Sequence, residues 1–371
     1  MKDKKNRFAF IAHPMKREDI LNFYPLLRFS SFMAERYNFK DMARNLPINK
    51  FIDLKANISD TDKSISGMGI VCPLFPEDFV KLQERIVLDK IKKACLLAQR
   101  EGAGIIGLGG FTSIVGNEGE VLAKEIDAGI TSGNTYTAYL ALEGIFKAAE
   151  LMQIDLSCAT AAVIGATGDI GSICTRVLSK RVKHINLVAR HENRLEEFAE
   201  EIRSLNSTSV FITKYIPEAI READIILTAT SSLTTIIEPT QLKSGCVVCD
   251  VALPPNIARE VYDIRKDVLV FEGGKAKLPK LEKIKSEFWQ KYFPENIIVG
   301  CLAETMLLAL ENYFKDFSIG RGKITEEKLD FIAKVARKHG FTLAPFRCGG
   351  KILDVEQINK IRKRTNELVR K

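Results

Sequence analysis

The segment Val163-Ile-Gly165-Ala-Thr-Gly168-Asp-Ile-Gly171 constrains this chain more than any other. It follows an apolar run, Thr160-Ala-Ala-Val-Ile-Gly165, and opens a stretch with helical spacing, Gly171 to Arg181. A strand that turns into a helix over three glycines needs each of them for a backbone reason. Gly165 permits the tight turn, Gly168 lets backbone N–H groups approach an anion, and Gly171 allows close helix packing. The N-terminus of a helix carries partial positive charge, so the pyrophosphate of a dinucleotide is the expected ligand. Thr167, Asp169 and Ile170 complete the expected cofactor-binding loop. A glycine-rich turn with no ligand is the competing interpretation, and the strand–helix–strand context weighs against it.

That context continues in both directions. Strands are expected at Ile185–Ala189, Asp224–Ala229, Cys246–Asp250 and Val268–Phe271, with a helix over Arg194–Leu205. Strands alternating with helices at this spacing predict a parallel, doubly wound sheet. Upstream, Phe8–Ala12 and Gly69–Pro73 read as strands. Helices are expected around Arg17–Leu27 and Ser30–Lys40, and Phe79–Arg100 reads as one long helix. Gly104–Gly110 is a strand running into a glycine turn, and Thr135–Met152 a strong helix. The fold class is therefore α/β: an N-terminal α/β substrate domain (1–134), a Rossmann-like domain with a linker helix (135–275), and a C-terminal helical segment (276–371). In that last segment helices are expected at Gly300–Phe314 and Thr325–His339.

The end of the second strand of the Rossmann-like unit selects the cofactor. A carboxylate there would favour the ribose hydroxyls of NADH. This chain has Ala189-Arg190-His191, with Arg194 one turn on, and guanidinium groups suit a 2′-phosphate. NADPH is the expected cofactor. Thr228 and Ser231 lie where the fourth strand ends, at the edge that lines ribose and nicotinamide in such folds.

The net charge of +8 favours an acidic partner, although charge alone does not choose among a carrier protein, an anionic membrane and nucleic acid. No run of about 18 uncharged apolar residues predicts a membrane span, and Phe8–His13 is short for a signal peptide, so a cytoplasmic protein is expected. Eight cysteines are scattered, several in apolar runs where a reduced, buried thiol is usual. Cys246-Val-Val-Cys249 has redox-motif spacing but falls in an expected strand, and no second pair or paired histidine motif completes a metal site. The basic final stretch, with Ile352, Val355, Ile358, Ile361 and Leu368, reads first as a helix docked on its own protein. A carrier-docking or peripheral membrane helix is the sharper alternative.

In Ile297-Ile-Val-Gly300-Cys301-Leu-Ala-Glu304 a short strand stops at a glycine and a cysteine stands at the mouth of an apolar helix. Helix N-termini lower a thiol pKa by favouring thiolate. On these features alone Cys301 reads equally as a structural cysteine and as a nucleophile.

Four blocks weight that choice: Leu108-Gly-Gly-Phe-Thr-Ser-Ile114, Thr131-Ser-Gly-Asn-Thr-Tyr-Thr-Ala138, the Gly165–Gly171 loop, and Cys301-Leu-Ala-Glu-Thr-Met-Leu-Leu308. Together with Phe317–Thr325, and in this order, they resemble the long-chain fatty acyl–acyl carrier protein reductases best known from cyanobacteria. The resemblance implies NADPH-dependent reduction of acyl thioesters to fatty aldehydes through a cysteine acyl-enzyme. It places the nucleophile on Cys301 and the cofactor glycines on Gly165, Gly168 and Gly171. It also implies an acyl carrier protein or acyl-CoA donor, a downstream enzyme that uses the aldehyde, and no nucleic-acid partner. A looser similarity to shikimate-type dehydrogenases and glutamyl-tRNA reductase covers mainly the cofactor domain. The chain departs from the family in Ile11-Ala-His13-Pro-Met-Lys16, in Asp250-Val-Ala-Leu-Pro-Pro-Asn256, and in a longer, more basic extension after Gly350.

Secondary candidates are His13, for substrate contact or proton supply, with a buried, hydrogen-bonded histidine at a strand end as the equal alternative, and Glu304, one turn past Cys301, to orient or protonate, with charge compensation at the helix N-terminus as the alternative. Gly110, Ser132 and Asn134 are expected near substrate, with helix capping as the alternative for Ser132 and Asn134. The competing functional interpretations are a shikimate-type NADP-dependent dehydrogenase without a covalent step, and a noncatalytic NADPH-binding protein.

Overall fold

A computed structural model describes residues 7–30, 39–59, 63–282 and 286–369. The chain divides into two compact units. The first comprises 1–134, 277–323 and 331–342, and the second 135–276, 324–330 and 343–371. The residues expected to form a C-terminal segment of their own, 276–371, are thus shared between the two units, and the cysteine helix belongs with the N-terminal residues. The physical reason is burial: residues 302–308 of that helix are buried, and an apolar helix of this kind becomes the centre of a core rather than an appendage.

The first unit is built on a six-stranded sheet. Its strands include β1 (Arg7–Ala12), β2 (Asn49–Ile58), β3 (Ser64–Val71), β4 (Ala103–Leu108) and β5 (Gly129–Thr131). Their order is β2-β3-β1-β4-β5, with Leu281–Glu282 pairing antiparallel on the outer edge of β2. β3, β1, β4 and β5 run parallel, and β2 is antiparallel to β3. β2 was not expected, although Leu54, Ala56 and Ile58 alternate with polar residues and are buried. The helix expected over Phe79–Arg100 is two helices, Pro76–Lys81 and Glu84–Arg100, parted by extended backbone at Leu82 and Gln83. The break resets the helical register. Val87, Ile91, Ala94, Cys95 and Ala98 form the buried face, while Val80 and Ile86 are exposed. Most of the helix expected over Ser30–Lys40 lies outside the described residues.

The second unit is a six-stranded, all-parallel sheet: β6 (Thr160–Ile164), β7 (His184–Val188), β8 (Ser209–Thr213), β9 (Ile225–Thr228), β10 (Val247–Asp250) and β11 (Leu269–Glu272). Their order, β11-β10-β9-β6-β7-β8, is the doubly wound dinucleotide-binding order. The α/β class and the Rossmann-like unit are as expected. β8 was missed because it is an edge strand with no wholly buried residue, so its apolar pattern is weak.

The basic helix Val355–Val369 packs on its own unit through Ile358 and Ile361. Arg362 donates to the Leu151 carbonyl at 3.1 Å, and Thr365 donates to the Asp267 carbonyl at 2.9 Å. Val355 and Leu368 face solvent, so the expected five-residue stripe is not one buried face. Among the described residues no helix is long and apolar enough to cross a membrane.

Candidate active site

Cys301 is the second residue of an eleven-residue helix, Gly300–Leu310, with Val299 at its N-cap. Its side chain is half-buried. β4 approaches the helix closely: a Cβ on Gly107 would lie 2.0 Å from the Thr305 hydroxyl oxygen. Thr305 in turn donates to the Cys301 carbonyl at 2.8 Å. On another side the segment Thr131–Asn134 abuts the cysteine. Gly133 has φ +76°, and a Cβ there would sit 2.2 Å from the Cys301 Cα. Only glycine meets both conditions, so Gly133 seats the cysteine by having no side chain.

Glu304 lies on the same helix and is completely buried. It accepts hydrogen bonds from the hydroxyls of Thr131 and Ser318. Ser132 donates to the Ser318 carbonyl at 2.5 Å, and its oxygen faces the Asn134 N–H at 3.4 Å. These bonds lie at the start of the helix Asn134–Met152. Thr131, Gly133 and Ser318 were not singled out from the sequence. All three stood in quoted blocks, Thr131 and Gly133 in Thr131–Ala138 and Ser318 in Phe317–Thr325, but none was given a role.

His13 has a geometry at odds with proton supply. Its Nε2 accepts from the Phe111 N–H at 3.1 Å, which leaves Nδ1 to donate to the Pro14 carbonyl at 3.2 Å. The ring packs against Phe79 and Phe111 at 5.1 and 5.7 Å. Burial pushes its pKa down to about 4, so the ring is neutral near pH 7. Gly110, at φ +56°, leaves room for it, since a Cβ would be 2.6 Å from Nε2. His13 and Gly110 are partners in a turn. Thr112 and Ser113 are used locally, donating to the carbonyls of Gly109 and Gly110.

In the second unit β6 leads into the glycine loop and the helix Asp169–Leu178. Gly165 has φ +88°, and a Cβ there would meet the Ala229 carbonyl oxygen at 2.4 Å. A Cβ on Gly171 would meet the Gly165 oxygen at 2.1 Å. Gly168 is less crowded than these two, although a Cβ there would still come within 3.3 Å of the Gly165 carbonyl oxygen. A tight turn, a close helix approach and a glycine at the helix N-cap fit a pyrophosphate. Thr167 and Ile170 are half-buried, and Asp169 is buried. Arg190 and Arg194 are exposed just beyond β7.

Thr228 departs from expectation. Its hydroxyl is wholly buried and donates to Asp250 at 2.5 Å. Asp250 also accepts from the N–H groups of Ala252, Asn256 and Ile257, holding the loop after β10. A threonine turned inward to a carboxylate does not offer that hydroxyl to a ribose. Ser231 is exposed at the end of β9.

Five of the other seven cysteines differ from Cys301 in burial. No disulfide forms, and Cys72, Cys95, Cys174, Cys246 and Cys249 are buried. Burial raises the thiol pKa of Cys246 to about 12 and that of Cys249 well above the usual range. Among the described residues no cluster of three or more potential metal ligands occurs.

Comparison with known proteins agrees with the division of the chain. The profile of the shikimate / quinate 5-dehydrogenase family matches residues 147–272. The long-chain acyl–acyl-carrier-protein reductase of Synechococcus elongatus is 33% identical over 301 residues, covering 76% of this chain and 84% of that protein. The aminotransferase PigE of Serratia sp. is 28% identical over 362 residues, covering 96% of this chain. The chain spans 42% of the length of PigE. A glutamyl-tRNA reductase of Cyanophora paradoxa is 31% identical over 119 residues, 30% of this chain and 27% of that protein.

Proposed function

We propose, starting from the fact that the chain belongs to the long-chain acyl–acyl-carrier-protein reductase family, that it reduces a long-chain acyl thioester to a fatty aldehyde through an acyl group carried on Cys301. The observation that carries this reading is the setting of Cys301, half-buried at a helix N-terminus and seated against a glycine that tolerates no side chain.

The helix N-terminus favours the thiolate of Cys301. The thiolate attacks the thioester carbonyl carbon, a new carbon–sulfur bond forms, and the carrier sulfur departs and takes a proton. N–H groups at the start of the Cys301 helix are the donors for the developing oxyanion. In the Gly109–Phe111 turn, by contrast, Gly109 donates to the Ile11 carbonyl and Phe111 donates to His13. When bound, the reduced nicotinamide supplies the hydride. Addition to the acyl carbon gives a hemithioacetal on Cys301, whose collapse frees the aldehyde and returns the thiolate. The balance is acyl thioester, NADPH and a proton in; aldehyde, carrier thiol and NADP out.

Gly165, Gly168 and Gly171 hold the pyrophosphate in this reading, and Arg190 and Arg194 hold the 2′-phosphate. Acyl carrier protein is the favoured donor because the family member with 84% coverage bears that name. The match to a dehydrogenase profile over 147–272 favours one second reading, a dehydrogenase with no covalent step.

The deciding experiment incubates the protein with acyl thioester and no NADPH. One acyl mass on Cys301 is expected, and Cys301→Ala abolishes both adduct and aldehyde. Full turnover by that variant would establish the second reading instead. Paired acyl carrier protein and coenzyme A thioesters identify the donor.

A further inference from the structure

The buried carboxylate of Glu304 has a place in the first unit that points to a role other than acid–base chemistry. Four side chains meet there from three separate stretches of chain: Thr131 and Ser132, Glu304, and Ser318. Thr131, Glu304 and Ser318 are fully buried, and Ser132 nearly so. Thr131 and Ser318 donate their hydroxyls to the same oxygen, Glu304 Oε1. The Thr131 oxygen accepts from the Gly133 N–H at 3.3 Å and from the Ser318 N–H at 3.4 Å. The two segments of this junction are also tied through their backbones. The Phe317 N–H donates to the Ile130 carbonyl and the Ser132 N–H to the Ser318 carbonyl, while the Ile130 N–H donates to the Asp316 side-chain carboxylate.

The consequence lies in where these bonds lead. Glu304 follows Cys301 on one helix, one turn on, and Gly133 follows Thr131 in one turn. The contact between Gly133 and Cys301 is therefore closed by hydrogen bonds on its far side, through Thr131 to Glu304. Burying a carboxylate is costly unless donors surround it, so the two hydroxyls and the carboxylate fix one another. We infer that Glu304 is a positioning residue that, through Thr131 and Ser318, holds the Thr131–Gly133 turn against Cys301 and so sets the approach of an acyl group to the thiol. The inference rests on the acyl-cysteine reading above.

The test uses the full chain and the variants Glu304→Gln, Glu304→Ala, Thr131→Val and Ser318→Ala. Two rates are read: acylation of Cys301 by acyl thioester without NADPH, and alkylation of Cys301 by iodoacetamide across pH. Misplacing a reacting pair costs about ten- to a hundredfold in rate, and that loss of acylation is expected for Glu304→Ala and Thr131→Val. Glu304→Gln keeps an acceptor oxygen for both hydroxyls. It is expected to restore most of the rate with the pH profile unchanged, while NADPH affinity stays the same in every variant. If Glu304→Gln falls as far as Glu304→Ala and one limb of the pH profile disappears, the carboxylate acts as an acid or base itself and the inference fails. Wild-type rates in Glu304→Ala and Thr131→Val overturn it as well. Should Glu304→Ala not fold, Thr131→Val and Ser318→Ala carry the same comparison. If the wild type acylates with no thioester, the proposed function fails, and the alkylation rates still judge the positioning.

Discussion

A Cβ on Gly133 would lie 2.2 Å from both the Cα and the Cβ of Cys301. Two backbones in such contact leave no room for any side chain, and the φ of +76° is itself unfavourable for residues other than glycine. Gly133→Ala is expected to destabilise the protein by about 1–3 kcal/mol and to slow Cys301 acylation. Thermal denaturation together with intact-mass measurement after thioester treatment checks both. An alanine variant as stable and as quickly acylated as wild type would mean that the contact is dispensable.

The cysteines should separate sharply in reactivity. Burial pushes the Cys72 and Cys246 thiols up to about 12, and it raises those of Cys95, Cys174 and Cys249 as well. Thiolate is the reactive form, so these five resist alkylation near neutral pH while the chain is folded. Cys301, at its helix N-terminus, and the exposed Cys158 are expected to label first. Peptide mapping after brief iodoacetamide treatment reads the order, and early labelling of Cys249 ahead of Cys301 would contradict it.

Acid should weaken the fold through His13. Its pKa is held at about 4 in the folded chain, against 6.5 in the unfolded one. The unfolded state therefore takes up the proton first as pH falls. The stabilisation is fully present above about pH 6.5, is lost progressively down to about pH 4, and amounts to roughly 3 kcal/mol. Denaturant titrations across this window should show the slope, and His13→Gln should flatten it. An unchanged slope in that variant would assign the acid sensitivity elsewhere.

Cofactor choice should depend on the two guanidinium groups after β7. Arg190→Ala with Arg194→Ala removes the charge-assisted bonds expected with a 2′-phosphate, at about 1.5–3 kcal/mol each. With both lost, NADPH affinity is expected to fall by about a hundredfold or more while NADH affinity changes little. Fluorescence titration with both cofactors measures the ratio, and a ratio equal to wild type would remove these arginines from the site.

What could be read beforehand divides along a physical line. The Gly165–Gly171 loop is legible because its glycines answer to backbone geometry set within a few residues. Thr228 is misread because its role depends on Asp250, a neighbour across the sheet, which takes the hydroxyl inward. His13 could be read either as a proton donor or as a buried, hydrogen-bonded histidine, and its ring nitrogens go to Phe111 and Pro14, a pairing that residue type alone does not tell. The Thr131–Glu304–Ser318 junction is the hardest case. Thr131 lies 173 residues from Glu304, and a sequence pattern carries no record of such a pairing. The missed β2 is different, since the alternation of Leu54, Ala56 and Ile58 was available to be read.

The first unit is discontinuous along the chain, with 135–276 intervening before its cysteine helix is reached. A ribosome delivers Thr131 and Gly133 long before Glu304 and Ser318 exist. The early strands, β1 to β5, lack the cysteine helix that packs on them while a whole parallel domain is made and has time to fold. Reactivity at the thiol thus arrives late in synthesis, together with the last pieces of the body that shelters it.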